Sequence, residues 1–200
     1  MKILVLSEGV KDVKFMNNVF SHAMSNVEID TLSLEQLPKE AHQTEEAERI
    51  RNFNEKFNPY HILIKSEGGK SNLKRTLSSL IKFLSGENCD LVVLLDLDGG
   101  NLYSFIDEIN EKLEMIYGGN DVLIEVNSEE DRVDSVCMIR CDVIINGMKV
   151  DDFSIVGFPT SLEDAAGIGS HDDAPGEINK RIKRLAKEDS IADPIIQFVT

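Results

Sequence analysis

The sequence lacks any long hydrophobic run. Its apolar runs, such as residues 91–95 and 143–145, fall far short of the ~20 residues that a membrane-spanning helix needs. The short apolar run after Met1 stops at Ser7 and Glu8 without a small-residue cleavage pattern, which disfavours a secretory signal. We therefore expect a cytoplasmic protein with no membrane span.

Cysteine and histidine are also scarce. The 3 cysteines, Cys89, Cys137 and Cys141, include no C-x-x-C pair, which argues against a disulfide framework and against a thiolate zinc site. The 4 histidines fit no metal-ligand spacing such as H-E-x-x-H. We therefore expect the cysteines to be buried packing residues and look elsewhere for catalytic groups.

Basic residues are in the minority, with 21 lysines and arginines against 36 aspartates and glutamates and a net charge of −15. A protein that grips long stretches of nucleic acid normally has a basic surface, because neutralising phosphates supplies most of the affinity. If this chain acts on nucleic acid, metal ions must offset its carboxylates and local basic clusters must make the contacts. Two such clusters are Lys70, Lys74 and Arg75, and Lys180, Arg181, Lys183 and Arg184. A solvated helix face is the simpler explanation of either cluster.

Buried strands alternate with amphipathic helices in the first two thirds of the chain. Buried-strand patterns lie at residues 2–6, 61–65, 91–95 and 121–126, and apolar residues recur at helical spacing after each of the first three. This alternation predicts an α/β fold, a mostly parallel sheet flanked by helices.

The remaining segments predict an extension of that sheet. From residue 133 the strand patterns are joined at Asn146-Gly147, which indicates an antiparallel β-hairpin. We expect a single domain over residues 1–200, with a core of about 1–127 and a hairpin extension and C-terminal segment of about 128–200.

Three shorter segments also have a predicted structure. Residues 27–34 partly alternate and predict a strand, residues 44–57 predict a charged and exposed helix, and residues 177–187 predict a basic helix.

Acidic residues and glycines follow the buried strands where each strand ends. Glu8 follows the first strand, Gly68 and Gly69 follow the second, and Asp96 and Asp98 end the third. Sites in open parallel sheets form outside the carboxyl ends of the strands, so these loops should meet at one edge. Because alternate residues of a strand point the same way, Asp96 and Asp98 can project together and suit Mg²⁺ or Mn²⁺.

The same motifs fit three competing interpretations. The DLDGGN stretch can be a polar loop in which an aspartate or Asn101 caps the next helix. A haloacid-dehalogenase-type phosphatase has the nucleophile motif D-x-D-G-T, but Gly100 replaces the threonine and the motif lies mid-chain. SEGGKS at residues 66–71 ends like a P-loop, although a full P-loop would need glycine where Ile64 stands.

The strand ends resemble those of the Toprim domain. LVLSEGVKD at residues 4–12 places Glu-Gly after a strand, and LLDLDGG at residues 94–100 ends a later strand in D-x-D. IKSEGGKSNL at residues 64–73 is similar to the strand-GGK segment of OLD-type nucleases and of short archaeal Toprim-like proteins. SLED at residues 161–164 is similar to the acidic motif that follows the core there. The Toprim family also includes bacterial primases, type IA and type II topoisomerases and recombination-mediator proteins.

The resemblance covers residues 1–127 well and 150–168 loosely, and it implies a metal site. Glu8 would be the family glutamate, a metal ligand or general acid/base in phosphoryl transfer. Asp96 and Asp98 would be the Mg²⁺ pair, while Asp12 and Glu163 would help to hold a second ion. Two ions ~4 Å apart would stabilise the attacking and leaving oxygens of a phosphodiester cleavage.

Lys70 would offset charge on the phosphorane-like state. For Lys70, Asp12 and Glu163, a solvated residue at a loop or helix end is the competing explanation.

The resemblance therefore implies a Mg²⁺- or Mn²⁺-dependent nuclease-type hydrolase acting on DNA or RNA. The chain has no ATPase domain, so it is not a full OLD protein, and a separately encoded ATPase partner is left open. The missing accessory domains and the acidity leave open a noncatalytic metal-binding or partner-binding Toprim module. The hairpin region at residues 133–157 could pair across a two-fold axis in a homodimer.

Overall fold

The computed structural model describes residues 2–33, 48–50, 52–55, 58–85, 89–118, 121–128, 130–169 and 174–200. Its strands are β1 (Ile3–Ser7), β2 (Ile29–Ser33), β3 (Ile62–Ser66), β4 (Asp90–Asp96), β5 (Val122–Val126), β6 (Asp131–Val133), β7 (Val136–Ile145) and β8 (Met148–Phe158). Its helices are α1 (Val10–Ala23), α2 (Lys70–Leu84), α3 (Leu102–Tyr117), α4 (Leu162–Ala165), α5 (Pro175–Leu185) and α6 (Asp189–Val199).

The strands form one 8-stranded mixed sheet in the order β2-β3-β1-β4-β8-β7-β5, and β6 pairs with β7 beside this path. The strands β2, β3, β1, β4 and β8 are joined by parallel pairings. The strand β7 pairs antiparallel with β8, β5 and β6. The predicted α/β fold, a mostly parallel sheet with an antiparallel hairpin, is therefore confirmed.

Helices cover both faces of the sheet. On one face α2 and α3 contribute buried residues such as Leu77 and Ile109, and on the other α1, α5 and α6 contribute residues such as Phe20 and Ile195. All 5 residues of β1 and of β3 are buried. Strands buried on both faces read as continuous apolar runs, which is the pattern that the sequence shows. Among the described residues, no helix has the length and apolar character to cross a bilayer.

The hairpin turn lies where the sequence predicts it. Asn146 and Gly147 both have positive φ, of 52° and 75°, as a type I′ turn requires. The second hairpin strand, β8, does not lie at the rim of the sheet, because it pairs parallel with β4. This pairing sets Phe158 opposite Asp96, so the residues after β8 reach the carboxyl end of β4.

The position of β5 differs from the expectation that residues 121–126 continue the parallel series. The strand β5 ends the sheet and pairs antiparallel with β7. It runs in the same direction as β4, as a strand-helix-strand unit should. The β7–β8 hairpin is inserted between β4 and β5, and this insertion makes the observed pairing of β5 antiparallel.

The segment between α1 and β3 is described in part. The predicted strand at 27–34 is β2, which pairs parallel with β3. Residues 48–50 and 52–54 of the predicted helix at 44–57 are helical, and the rest of that prediction except residue 55 lies outside the described residues. Ile50 and Phe53 are buried against the α2 face of the sheet, so the helical part is not fully exposed. The predicted basic helix is α5.

Candidate metal centre

Glu8 and Asp96 meet at the carboxyl ends of β1 and β4. The Asp96 backbone N–H donates to Glu8 Oε2 at 3.0 Å. Asp96 Oδ1 in turn accepts a hydrogen bond from the Leu162 N–H, the first residue of α4, at 2.8 Å. Backbone groups of β4 and α4 therefore hold two of the predicted carboxylates close together.

Asp12 joins this pair from the first turn of α1. Its Oδ2 accepts a hydrogen bond from the Gly9 N–H at 2.8 Å, and its residue surface is only 5% exposed. Asp12 therefore accepts a backbone hydrogen bond at the start of α1, which agrees with the explanation that it is a helix-end residue. It is not a solvated residue, however, because the negative charges of Asp96, Glu8 and Glu163 all act on it.

The pKa values of these carboxyl groups are raised. Burial, followed by repulsion from Asp96, Glu8 and Glu163, raises the pKa of Asp12 to about 8 against the opposing Gly9 hydrogen bond. Burial also raises the pKa of Asp96 to about 6, with Glu163, Glu8 and Asp98 adding to it. Burial is again the main cause of the raised pKa of Glu8, while the Asp96 backbone N–H and Lys70 lower it. Burial is the main cause in all three groups, and repulsion between the carboxylates adds to it.

Asp98 occupies a different position from the one that the strand alternation predicts. The strand β4 ends at Asp96, and Asp98 lies in the following turn with φ of 51° and a side chain 70% exposed. Its Oδ2 accepts a hydrogen bond from Lys70 Nζ at 2.5 Å. Alternation along a strand is therefore the wrong reason for placing it beside Asp96. Its charge nevertheless raises the pKa of both Asp96 and Glu8.

Glu163 lies in the first turn of the short helix α4, which Ser161 caps by accepting the Asp164 N–H at 3.0 Å. Lys11 Nζ donates to Glu163 Oε1 at 2.5 Å. No sequence pattern predicted this contact of Lys11, and its place beside Asp12 in the first turn of α1 was the one feature that pointed to it.

The turn from residue 97 to 100 explains both glycines of the DLDGGN motif. Asp98 and Gly99 have positive φ, and the Gly100 N–H donates to the Leu97 carbonyl at 2.8 Å. A Cβ on Gly100 would lie 3.0 Å from the same oxygen. Asn101 Oδ1 caps α3 by accepting the Ser104 N–H at 2.8 Å. The helix-cap interpretation therefore holds for Asn101, whereas Asp96 and Asp98 make different contacts.

The GGK turn brings the start of α2 to Glu8. Gly68 and Gly69 have φ of 73° and 123°, and the Gly69 N–H donates to the Glu8 carbonyl at 2.8 Å. Behind this turn is an ion pair that no sequence pattern predicted. Lys65 and Glu67 have side chains 0% and 1% exposed, and Lys65 Nζ donates to Glu67 Oε1. The position of Lys65 inside an otherwise apolar strand was the sequence feature that could have indicated this ion pair.

The donor chemistry of the cluster suits a hard divalent cation. Carboxylate oxygens are the ligands that Mg²⁺ and Mn²⁺ prefer, and burial together with mutual repulsion raises the pKa values of Asp12 and Asp96. No group of three or more His, Cys, Asp or Glu side chains within the described ranges is placed so that it could hold a metal ion. The two outer carboxylates, Asp98 and Glu163, each face a lysine ammonium group.

No protein-family model matches this chain, and a search of the curated proteins finds no match to it.

Proposed function

We propose that this chain is a Mg²⁺- or Mn²⁺-dependent enzyme of the Toprim type that cleaves or transfers phosphodiesters of nucleic acid in the cytoplasm. One observation carries the proposal. Asp12 and Asp96 lie together at the carboxyl end of a mostly parallel sheet, and neither forms an ion pair with a described residue. Burial and mutual repulsion disfavour the ionised forms of the two groups, so their proximity favours a bound cation that would displace their protons and compensate the charge.

Glu8, Asp12 and Asp96 would hold the ion, with Asp98 and Glu163 at its periphery. Bound there, a divalent ion would neutralise charge on the phosphate oxygens and lower the pKa of a water molecule. Glu8 has a raised pKa and lies partly exposed, so its carboxyl group can exchange a proton with a reacting oxygen. Lys70 Nζ lies near enough to this group to lower its pKa, and it can also orient a phosphate oxygen.

A noncatalytic metal-binding or partner-binding module is the alternative. The contacts of Lys11 with Glu163 and of Lys70 with Asp98 favour it, because they occupy the two outer carboxylates. Such a module would bind Mn²⁺ with the same residues but would not turn over a substrate. A haloacid-dehalogenase-type phosphatase would instead hydrolyse a phosphate monoester, which p-nitrophenyl phosphate would report.

The decisive experiment is a cleavage assay on single- and double-stranded DNA and RNA with Mg²⁺ or Mn²⁺. Glu8→Gln and Asp96→Asn should each lower the rate at least about 100-fold, because each removes a charge from the metal site. Asp107→Asn, an exposed position of α3, is the matched control and should change the rate less than twofold. Unchanged rates in both site variants would refute the catalytic assignment.

Metal binding can be measured without turnover. Titration calorimetry with Mn²⁺ should show at least about a tenfold loss of affinity in Asp96→Asn and none in Asp107→Asn. Binding by Asp96→Asn as tight as by the wild type would refute the metal centre itself. Tight Mn²⁺ binding by a wild-type protein that cleaves none of the four nucleic acids would favour the noncatalytic alternative.

A further inference from the structure

The helix α5 and the residues just after it carry an unusual concentration of positive charge for this chain. Five of its 21 lysines and arginines lie between residues 180 and 187, and Glu177 is the only acidic residue between 174 and 187. The chain as a whole has a net charge of −15. We call the exposed residues Lys180, Lys183, Arg184 and Lys187 the α5 basic face.

Packing turns this face outward. Ile182, Leu185 and Ala186 are buried in the core beneath the helix, so the residues between them project to solvent. Among the described residues, Lys183, Arg184 and Lys187 form no ion pair, whereas Lys180 lies 3.6 Å from Glu177. Three cations of the face are therefore available to an external anion.

The helix α5 lies beside α1, and the α5 basic face extends from the level of Lys14 toward the end of α1 farther from the carboxylates, where His22 lies 3.2 Å from Asp189. Lys14 Nζ of α1 donates to Asn179 Oδ1 of α5 at 3.0 Å. Lys183 follows Asn179 by four residues and lies on the same side of α5, whereas Lys187 lies in the turn that follows the helix.

The first turn of α1 carries a further lysine that reaches the carboxylate cluster. Lys11, one turn before Lys14 on α1, contacts Glu163 at 2.5 Å. Arg181 of α5 also donates to the carbonyl of Gly167, just after α4, which ties α5 to the helix that carries Glu163. Lys11, Lys14 and the α5 basic face therefore follow one another along α1, from the rim of the carboxylates toward its far end.

We propose that the α5 basic face binds the sugar–phosphate backbone of a nucleic-acid strand on its way to the carboxylate cluster. This inference rests on the proposed function. A cluster of carboxylates repels phosphates, so the affinity for a polyanion must come from cations beside it. Lysine and arginine contacts to phosphates carry no base information, so binding through this face is independent of sequence.

The test compares two triple variants that lose the same charge. One is Lys183→Gln, Arg184→Gln and Lys187→Gln on the α5 basic face. The control is Lys112→Gln, Arg132→Gln and Lys149→Gln, on α3, β6 and β8. Fluorescence anisotropy with labelled single-stranded and duplex DNA and RNA, with Ca²⁺ replacing Mg²⁺, gives the Kd. A small diester, bis-p-nitrophenyl phosphate, reports whether the carboxylate cluster remains intact.

The α5 variant should raise the Kd at least about tenfold at physiological ionic strength and lower the salt slope of log K by about 2, as expected for two to three lost phosphate contacts. The control variant should change the Kd less than about threefold, and both should hydrolyse the small diester like the wild type. Equal losses in the two variants, with wild-type binding and cleavage intact, would overturn this inference alone.

Two further outcomes would also decide the matter. A wild-type protein that binds none of the four nucleic acids would overturn the proposed function and this inference with it. Self-association that is weakened by salt and abolished in the α5 variant, while nucleic-acid binding is unchanged, would overturn the inference and assign the face to a second copy of the chain.

Discussion

Two sets of interactions act on the ionisation of Asp12 in opposite directions. Its hydrogen bond from the Gly9 N–H favours the carboxylate, whereas burial and the neighbouring carboxylates favour the protonated acid. The second influence is the larger, and the pKa is raised to about 8. At neutral pH the cluster therefore retains protons that a metal ion must displace.

The metal-free protein should lose stability as the pH rises. The folded-state pKa of Asp12, about 8, lies above the ordinary value of 3.8, so its contribution is fully present below pH 3.8 and is lost as the pH rises through 8. Urea unfolding in EDTA should give a free energy of unfolding that falls across this range. Asp12→Asn should flatten the profile, because asparagine keeps an oxygen for Gly9 and carries no charge. The control Asp107→Asn should keep the wild-type slope, and an equally steep slope in Asp12→Asn would contradict the assignment.

Metal binding should release protons and tighten with pH. Asp96 and Asp12, with pKa values of about 6 and about 8, must both be deprotonated to bind a cation. Mn²⁺ titrations between these two values, in buffers of different ionisation enthalpy, should show net proton release. The Kd should fall as the pH is raised through the same interval. A Kd independent of pH would show that these two groups are not ligands.

At the scale of elements, the strand β8 determines where the site can form. It lies between β4 and β7, and a Cβ on Gly157 would meet three side chains at 3.1–3.2 Å, those of Leu102, Cys137 and Leu97. Glycine at this point lets β8 approach the base of α3 and the turn after β4. The same approach brings Thr160 to the Asp98 N–H, which donates to its carbonyl at 2.9 Å.

Gly157→Ala should destabilise the fold by roughly 1–3 kcal/mol, the usual cost of overfilling a packed core. The added methyl group has to displace buried side chains on which the turn after β4 rests. Chemical denaturation would measure this loss. Gly169→Ala is the matched control, since a Cβ there meets nothing within 4 Å, and it should change stability by less than about 0.5 kcal/mol. Equal stability of both variants would show that β8 is less tightly packed than described.

The free edge of β5 is covered by a side chain. Asn110 of α3 donates through Nδ2 to the Ile124 carbonyl and accepts the Ile124 N–H through Oδ1, both at 2.9 Å. These are the backbone groups that an added strand would use. Asn110 therefore blocks sheet extension at the middle of β5.

Asn110→Ala should cost about 1–2 kcal/mol of stability, because two hydrogen bonds are lost. It should also promote self-association, which analytical ultracentrifugation at rising protein concentration would detect. Glu111→Ala, at the exposed neighbouring position on the same helix, is the control. A strictly monomeric Asn110→Ala variant beside a monomeric wild type would show that another feature protects this edge.

Sequence patterns predicted the elements better than their arrangement. Periodicity identifies α1, α2 and α3 and the buried strands because it records which residues face the core. It does not record which strand is the neighbour, so neither the insertion of β8 beside β4 nor the antiparallel pairing of β5 could be read from it. The position of Asp98 was mistaken for a related reason, since residue spacing does not show where β4 ends.

Some residues of the candidate site could be predicted from the sequence and others could not. Glu8 and Asp96 follow apolar strands directly, and the structure brings them together as parallel topology requires. Lys11 and the buried pair of Lys65 and Glu67 were missed, because their partners are distant in sequence or hidden within an apolar run.

For the molecule as a whole, unbalanced negative charge is the main electrostatic feature. A net charge of −15 repels itself in the folded state, and the carboxylate cluster adds local repulsion that monovalent salt screens poorly because it is buried. A divalent cation bound by the carboxylate cluster would reduce both the overall repulsion and the local repulsion.

Mg²⁺ or Mn²⁺ should therefore stabilise the protein more than NaCl does at equal ionic strength. A ligand at about 100 times its Kd adds about 2.7 kcal/mol, which corresponds to a rise in Tm of about 5–10 °C for a chain of this size. Calorimetry with and without each salt would measure the difference. Asp96→Asn should respond to MgCl₂ and NaCl alike. A wild-type protein that also responds to both alike would argue against the metal centre.

The interior place of β8 also has a consequence for synthesis on the ribosome. The chain is made from residue 1 onward, so β4 is complete long before its neighbour β8, which ends at Phe158. Until then one side of β4 presents unpaired backbone groups amid apolar side chains, a state prone to aggregation. The nascent protein has most of its candidate ligands but no closed sheet, and Glu163 emerges only after the gap has been filled. The last of the candidate ligands is thus made after β8, and a ribosome that stalls before residue 158 would leave a fragment that lacks Glu163 and exposes one side of β4.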